Sequence, residues 1–345
     1  MLGYVLGWDL GGAHVKAALV DKDGIVLEVR QVSCPLWKGI DNLGKAIQTI
    51  LDQINCLPQS HVITMTGELV DIFNDRSEGV LMIADMVSQL LEGKIRFYAG
   101  LEGLVAIADV PYKTKSIASA NWLASASYLA KKISHGLFID IGSTTSDFIL
   151  IENSQTKVMG FSDAERLETE ELIYTGVVRT PLMTFGGKVP FLGKWTNIVS
   201  EYFATTADIY RLTGELDASY DMCETADGTN KSSESSARRL ARMIGHDFED
   251  VPMEKWKDLA RYFRGIQFEQ LRRTSLLHLS RTSSREPIPL IGAGVGAFVV
   301  ESLAKQIGLP YMNVSNLVKS DDKRLSSWSS ACFPAYALAS LVIDN

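Results

Sequence analysis

The sequence has few cysteines and no apolar stretch long enough to cross a membrane. Its four cysteines are Cys34, Cys56, Cys223 and Cys332. None of them form a CxxC pair, so the sequence indicates neither a zinc ribbon nor a redox dithiol. No apolar run approaches the roughly 20 residues of a membrane-spanning helix. The first residues are too short an apolar run for a signal peptide and lack its basic start. We therefore expect a soluble cytoplasmic protein with reduced thiols and no membrane partner.

Positive charge is also scarce relative to negative charge. The 345 residues include 34 Lys and Arg against 41 Asp and Glu, which gives a net charge of −7. Phosphate backbones repel such a chain, so we expect no nucleic-acid partner. Hydrophobic residues make up 46% and charged residues 22%, the composition of a globular protein. At roughly 150 residues per domain, the length indicates two domains.

The order of apolar patterns predicts an α/β protein. Short apolar runs bounded by turn residues predict strands over 4–9, 15–20, 25–32, 61–65, 94–98 and 287–291, with a strand–Gly–strand unit over 137–152. Helical spacing of apolar residues predicts helices over 39–55, 79–92, 116–133, 198–213, 234–245, 254–282, 297–307 and 331–343. Residues 217–236 are polar and aperiodic, which predicts a long loop near a site.

Two segments 131 residues apart repeat one pattern. Aligning Asp9 with Asp140 superposes DLGGAHVKAALV on DIGSTTSDFILI. Each copy has an apolar strand that ends in Asp, a turn of small residues and an apolar strand that returns. Such a repeat predicts two similar lobes that face each other. The alternative is that any hairpin beginning with Asp and Gly produces the same letters.

The first copy carries groups suited to phosphate chemistry. A turn at Gly11 and Gly12 allows an anion to approach backbone N–H groups closely. Asp9 could hold Mg²⁺ through water, and Lys16 could place a point charge on a phosphate. His14 is the histidine best placed to carry a proton. A structural hairpin with an exposed lysine is the alternative.

The second copy places hydroxyl side chains between two carboxylates. The residues predicted to bind phosphate oxygens are the turn glycine and the three hydroxyl residues after it, Gly142, Ser143, Thr144 and Thr145. Either Asp140 or Asp147 could assist the metal or take a proton. The alternative is a β-turn rich in Ser and Thr, which these residues favour by themselves.

Other segments carry single candidates. Gly292, Gly294 and Gly296 follow a strand and open a helix, which allows either a nucleotide or close packing of strand on helix. Arg238 shares a helix face with Arg242 and could bind a carboxylate or phosphate, or form a solvated surface. The remaining candidates are a possible base and two polar side chains, Glu68, Asn121 and Arg179.

The motifs GWDLGGAHVK, FIDIGSTTSD and GAGVG resemble the two phosphate loops and the adenosine-type loop of the actin/sugar-kinase/Hsp70 superfamily. Three segments, ASANW, YTGVVRTPL and ETADGTNKSSESSARRLARMIG, resemble a narrower hydantoinase/oxoprolinase-like branch of tetrahydromethanopterin-linked one-carbon pathways. That branch includes the methanofuran-biosynthesis synthase. The resemblance covers nearly the whole chain.

The resemblance implies an α/β fold of two actin-like (RNase H-like) lobes, with mixed sheets flanked by helices and a central cleft. It places the first lobe at residues 1–134 plus 331–345, because the last helix of such folds crosses back. The second lobe would cover 135–330, with a helical insertion over about 198–285.

The branch's reaction, again by resemblance, joins an (aminomethyl)furanmethanol diphosphate to the phenol of a γ-glutamyl-tyramine or tyrosine-type acceptor, and diphosphate leaves. Its partners would be these two small molecules, its cofactor would be Mg²⁺, and the sequence leaves a homo-oligomer open. The base is expected among Asp147, His14 and Glu68, in that order.

Two other functions remain open from the sequence. One is an ATP-dependent small-molecule kinase or a hydantoinase-like hydrolase, in which GAGVG would hold adenosine. The other is a non-catalytic actin-like module that binds nucleotide and closes a hinge. ATP is not favoured, because a diphosphate substrate already carries its leaving group.

Overall fold

The computed structural model describes residues 3–56 and 58–344, so the predicted lobe limits at residues 1 and 345 lie outside it. Its strands are β1 (Val5–Leu10), β2 (His14–Val20), β3 (Val26–Ser33), β4 (Ser60–Met65), β5 (Lys94–Tyr98), β6 (Leu104–Ala106), β7 (His135–Ile141), β8 (Ser146–Glu152), β9 (Gln155–Thr156), β10 (Leu172–Ile173), β11 (Lys188–Phe191), β12 (Lys194–Asn197), β13 (Leu290–Ala293) and β14 (Tyr311–Asn313).

The helices alternate with these strands. They are α1 (Asp41–Gln53), α2 (Arg76–Leu90), α3 (Thr114–Ile117), α4 (Asn121–Ala130), α5 (Asp163–Glu168), α6 (Thr206–Thr213), α7 (Ser233–Arg242), α8 (Met253–Leu279), α9 (Ala297–Ile307), α10 (Lys323–Ala331) and α11 (Phe333–Ile343). Within the described ranges, none of them combines the length and the apolar character that crossing a bilayer requires.

Two mixed sheets share one plan. The first has the strand order β3-β2-β1-β4-β5-β6, and the second has the order β10-β8-β7-β13-β14, with β9 beside β8. In the first sheet β1 pairs with β2 in an antiparallel hairpin and with β4 in parallel. In the second sheet β7 pairs in the same way with β8 and with β13. The hairpin registers coincide: Asp9 lies opposite Lys16, as Asp140 lies opposite Asp147. The repeat predicted from the sequence is therefore confirmed as a structural repeat.

Helices α4 and α11 pack in a core to which both sheets contribute. α11 is buried around most of its surface, which explains why its sequence is apolar on every face. It approaches β1 closely because Gly7 has no side chain: a Cβ there would lie 2.1 Å from the carbonyl oxygen of Ala335. The crossing of the last helix onto β1 and β2 thus depends on one glycine.

Most predicted elements are confirmed, and three are wrong in detail. The helix predicted over 116–133 is interrupted between Ile117 and Asn121, where Ser119 has a φ of 51°. The helix predicted from 198 begins only at Thr206, because a capping box between Thr205 and Asp208 fixes its start. The strand predicted over 287–291 is Leu290–Ala293, since two prolines before it cannot donate to a sheet.

Helices α6, α7 and α8 and the β11–β12 hairpin share a separate hydrophobic core. A buried ion-pair network ties this core to the polar loop before α7. Arg239 donates to Asp208 at 2.7 Å and to Asp227 at 3.0 Å, while Arg211 donates to Asp221 at 2.7 Å. The loop predicted over 217–236 is thereby held in one position, although α7 takes its last residues from Ser233 onward.

Candidate functional site

The two hairpin turns line one cavity of about 540 Å³. The sequence-predicted residues that the structure brings together there are Asp9, Gly11, Gly12, His14, Lys16, Asn121, Asp140, Gly142, Ser143, Thr144, Thr145, Asp147 and Arg179. They converge because Asp9 and Asp140 both stand near the carboxyl ends of central strands, where ligands of α/β sheets commonly bind. We refer to this cavity as the cleft.

A partly buried lysine lies between acidic groups at the base of the cleft. Lys16 Nζ is 3.8 Å from Asp9 Oδ2. Burial raises the pKa of Asp9, and it raises the pKa of Asp140 to about 7, although Lys16 acts against both shifts. Burial by itself would lower the pKa of Lys16, but the negative charges of Asp9 and Asp140 together have the larger effect, so its pKa is raised. Lys16 is therefore a stable cation inside the cleft.

The acidic pair fits a magnesium ion by its chemistry. Asp9 Oδ1 is buried and has no hydrogen-bond partner among the described residues. No cluster of three or more metal-ligating side chains occurs in the part of the chain that the structure describes. Mg²⁺ usually takes one or two carboxylates, keeps several waters and completes its shell with substrate phosphates. Asp9 and Asp140 are thus residues that could hold it.

The second turn is supported from behind by residues 176–179. The N–H groups of Val178 and Arg179 donate to the carbonyl oxygen of Ser143, at 3.1 and 2.8 Å. Gly176 lies so close to this turn that a Cβ would meet the Ser143 backbone at 2.4 Å. The Arg179 guanidinium donates to the Thr144 hydroxyl at 3.3 Å. This contact places a second cation beside the hydroxyl-rich turn.

Sequence reasoning missed the arginine that holds Asp147. Arg166, on α5, is fully buried, with its guanidinium 2.9 Å from Asp147 Oδ1 and 3.9 Å from the centre of the Trp122 ring. Burial raises the pKa of Asp147, and Arg166 limits the rise. No sequence pattern links positions 147 and 166, because α5 comes into contact with β8 only through tertiary packing.

His14 is held neutral in the cleft. Burial, and to a lesser extent the cations Lys16, Arg179 and Lys231, lower its pKa to about 3. Its Nε2 lies 3.7 Å from the thiol of Cys223, which lies in the polar loop before α7. His14 thus forms a contact across the cleft but is a weak base while the cleft is empty.

Glu68 lies behind the cleft wall and does not line it. Its Oε1 accepts a hydrogen bond of 2.7 Å from Ser119, whose hydroxyl is also 3.4 Å from Asp163. Both Ser119 and Asp163 line the cleft, and neither was singled out from the sequence. Burial raises the pKa of Glu68 to about 7 despite the Ser119 hydrogen bond. Glu68 can therefore reach a ligand only through Ser119.

Glu68 is expected to make stability depend on pH. Its pKa rises from 4.5 to about 7 on folding, so the folded state binds the extra proton and stability falls as pH rises through this window. At about 1.4 kcal/mol per pKa unit, the free energy of unfolding should fall by on the order of 3 kcal/mol across the whole window. In Glu68→Gln this loss should disappear. Urea unfolding of both proteins at pH 5 and pH 7.5 measures it, and equal pH dependence in the two would contradict the prediction.

Besides Glu68, four predicted residues lie outside the cleft lining. Gly294 and Gly296 pack against the end of β7: a Cβ on Gly294 would lie 2.3 Å from Asp140 Oδ1. Gly292 packs against Tyr311 and Val300. These contacts are the close strand–helix packing that the sequence allowed as the alternative. Arg238 pairs with Glu234 at 3.2 Å on an exposed helix face, away from the cleft lining.

The model for the hydantoinase/oxoprolinase family matches residues 60–342. The chain belongs to this family. A relative from Methanocaldococcus jannaschii is 30% identical over 257 residues, which cover 74% of this chain and 76% of that protein. One from Methanococcus vannielii is 32% identical over 124 residues, or 36% of this chain and 55% of that protein.

Both relatives of this hydantoinase/oxoprolinase member carry one name, (4-{4-[2-(gamma-L-glutamylamino)ethyl]phenoxymethyl}furan-2-yl)methanamine synthase. The predicted kinship with the methanofuran synthase branch is thereby confirmed, and the chain is an enzyme. A nucleotide-free structure of acetone carboxylase covers 98% of this chain and 70% of that one, with 11% identity and a TM-score of 0.51. That likeness concerns the fold alone, and with the strand orders it confirms the predicted α/β fold of two actin-like lobes.

Proposed function

We propose that this enzyme forms an aryl ether by joining an (aminomethyl)furanmethanol diphosphate to the phenol of a γ-glutamyl-tyramine-type acceptor, with diphosphate as the leaving group. The product named for both relatives contains a phenoxymethyl-furan ether. The observation that carries the proposal is the convergence of two small-residue turns, Lys16 and two acidic residues on one cleft. A diphosphate has two phosphoryl groups, which suits a site built from two turns.

The step balances without an additional reactant. The phenol oxygen attacks the furanmethyl carbon, the bond from that carbon to the diphosphate oxygen breaks, and diphosphate departs with the electron pair. Lys16 neutralises charge as it develops on the leaving group. Mg²⁺ held by Asp9 and Asp140 would add Lewis-acid neutralisation of the same charge. The phenol proton goes to a base in the cleft.

Asp147 is the base that the geometry supports best. It lines the cleft, and its raised pKa makes it a stronger proton acceptor than an ordinary aspartate. His14 lines the cleft too, but its low pKa rests partly on Lys16, Arg179 and Lys231. A bound diphosphate would offset these cations and raise it, which makes His14 the second candidate. Glu68 could accept the proton only through the Ser119 hydroxyl.

The reaction is expected to proceed without a nucleotide. The glycines that would contact adenosine pack instead against β7 and α9, and the furan substrate already carries its leaving group. The purified protein, mixed with the furan diphosphate, γ-glutamyl-tyramine and Mg²⁺, should form ether and diphosphate in equal amounts. Mass spectrometry of the ether and a coupled diphosphate assay measure both products. A strict need for ATP would favour the kinase-like alternative.

A further inference from the structure

A second cavity, also of about 540 Å³, lies beside the cleft and takes no part in the chemistry above. Its walls come from residues 99–102, which follow β5, from α2, α3 and α4, and from the segment that leads into α5. Leu101, Leu123 and Phe161 give these walls a largely apolar character. We refer to it as the side cavity.

Only a thin wall separates the side cavity from the cleft. The Trp122 ring borders both cavities. Arg76 of the side cavity forms an ion pair of 2.9 Å with Asp163 of the cleft. Trp122 is 4% exposed, and its indole N–H has no hydrogen-bond partner among the described residues. An elongated ligand that passes this ring would therefore occupy both cavities and meet an unused donor on the way.

The residues lining the side cavity offer charge of both signs. Lys115 is exposed and forms no ion pair within residues 3–56 and 58–344. Glu165 is also exposed, and its Oε2 accepts hydrogen bonds from the N–H groups of Phe161 and Ser162. Glu102 is already engaged by Lys113 and Ser116. Among the described residues, Lys115 and Glu165 form no ion pair, so one cation and one anion are left without an opposite charge, which is the pattern that a zwitterion requires.

We propose that the side cavity binds the aminoacyl tail of the phenolic acceptor, so that the phenol passes Trp122 into the cleft. The inference rests on the proposed function and adds the position of this substrate. A γ-glutamyl amide of tyramine has a phenol at one end, short apolar segments on either side of its amide, and an α-ammonium and an α-carboxylate at the other end. Apolar walls suit its ethylphenol and methylene groups, Lys115 suits the carboxylate, and Glu165 suits the ammonium. Selectivity for the γ-glutamyl tail is then set by the charges at this cavity.

Calorimetric binding of two acceptors tests the proposal on the full chain. The ligands are γ-glutamyl-tyramine and N-acetyltyramine, which keeps the phenol and the amide but lacks the zwitterion. We expect the first to bind at least tenfold more tightly. Lys115→Glu should remove most of that preference and leave the Kd of N-acetyltyramine unchanged. Lys45→Glu, the same charge change at an exposed lysine on α1, is the control and should alter neither Kd.

Equal Kd values for the two ligands in the unaltered protein would overturn the proposal, as would equal behaviour of the Lys115 and Lys45 variants. Because binding requires no turnover, the test separates the two ideas. Selective binding without ether formation would refute the reaction and retain the side cavity. Ether formation with a KM for γ-glutamyl-tyramine that is insensitive to Lys115→Glu would retain the reaction and refute the side cavity.

Discussion

Lys16→Ala is expected to lower kcat for ether formation by about 10²- to 10³-fold, the loss typical of a single charge-stabilising donor. Lys16 is a partly buried cation of the cleft, and its partial burial reduces the screening of its charge by water. Its stabilisation grows as negative charge moves onto the departing diphosphate, so kcat should change more than the KM for that substrate. Steady-state kinetics with varied furan diphosphate measures the two separately.

The matched control is Lys22→Ala, just beyond the end of β2, where the lysine pairs with Asp23 on the surface. It should leave kcat unchanged. Removal of Lys16 leaves Asp9 and Asp140 together, but both have raised pKa values and can take protons, so the fold should survive. Circular dichroism and thermal melts check this. A folded Lys16→Ala protein with unchanged kcat would exclude Lys16 from leaving-group stabilisation.

The parts of the site that could be predicted are those encoded by local pattern. Each turn lies between two apolar strands that are neighbours in the sequence, so each hairpin can be predicted from local pattern. The offset of 131 residues then makes Lys16 and Asp147 equivalent positions of the two hairpins. Residues at equivalent positions of a repeated hairpin are expected to converge when two lobes face each other. The cleft residues on β1, β2, β7 and β8 could be found in this way without a structure.

The parts that escaped prediction depend on tertiary contacts. Arg166 reaches Asp147 from a short helix whose sequence, DAERLE, resembles any charged surface helix. Ser119 enters the cleft wall only because the backbone adopts a positive φ between α3 and α4, where small apolar residues favour a continuous helix. Composition and periodicity report neither buried ion pairs nor backbone strain, so these residues appear only once the chain is folded.

Asp147→Asn is expected to lower kcat at pH 7 by about 10²- to 10⁴-fold, because the amide cannot accept the phenol proton. It can still accept a hydrogen bond from Arg166, which keeps the buried guanidinium partnered and limits the loss of stability. The unaltered enzyme should lose activity as pH falls through the raised pKa of Asp147, whereas the rate of the variant should show no such decrease.

The variant should also recover as pH approaches about 10, where the phenol ionises in water and needs no base. Rate profiles from pH 5 to pH 10 test both effects, and recovery at high pH would not follow from a merely structural defect. The corresponding variant of the second candidate, His14→Gln, should show no comparable recovery if Asp147 is the base. If Asp147→Asn kept the ordinary rate at pH 7 and His14→Gln showed the alkaline recovery instead, proton removal would belong to His14, whose pKa the bound diphosphate would then have to raise.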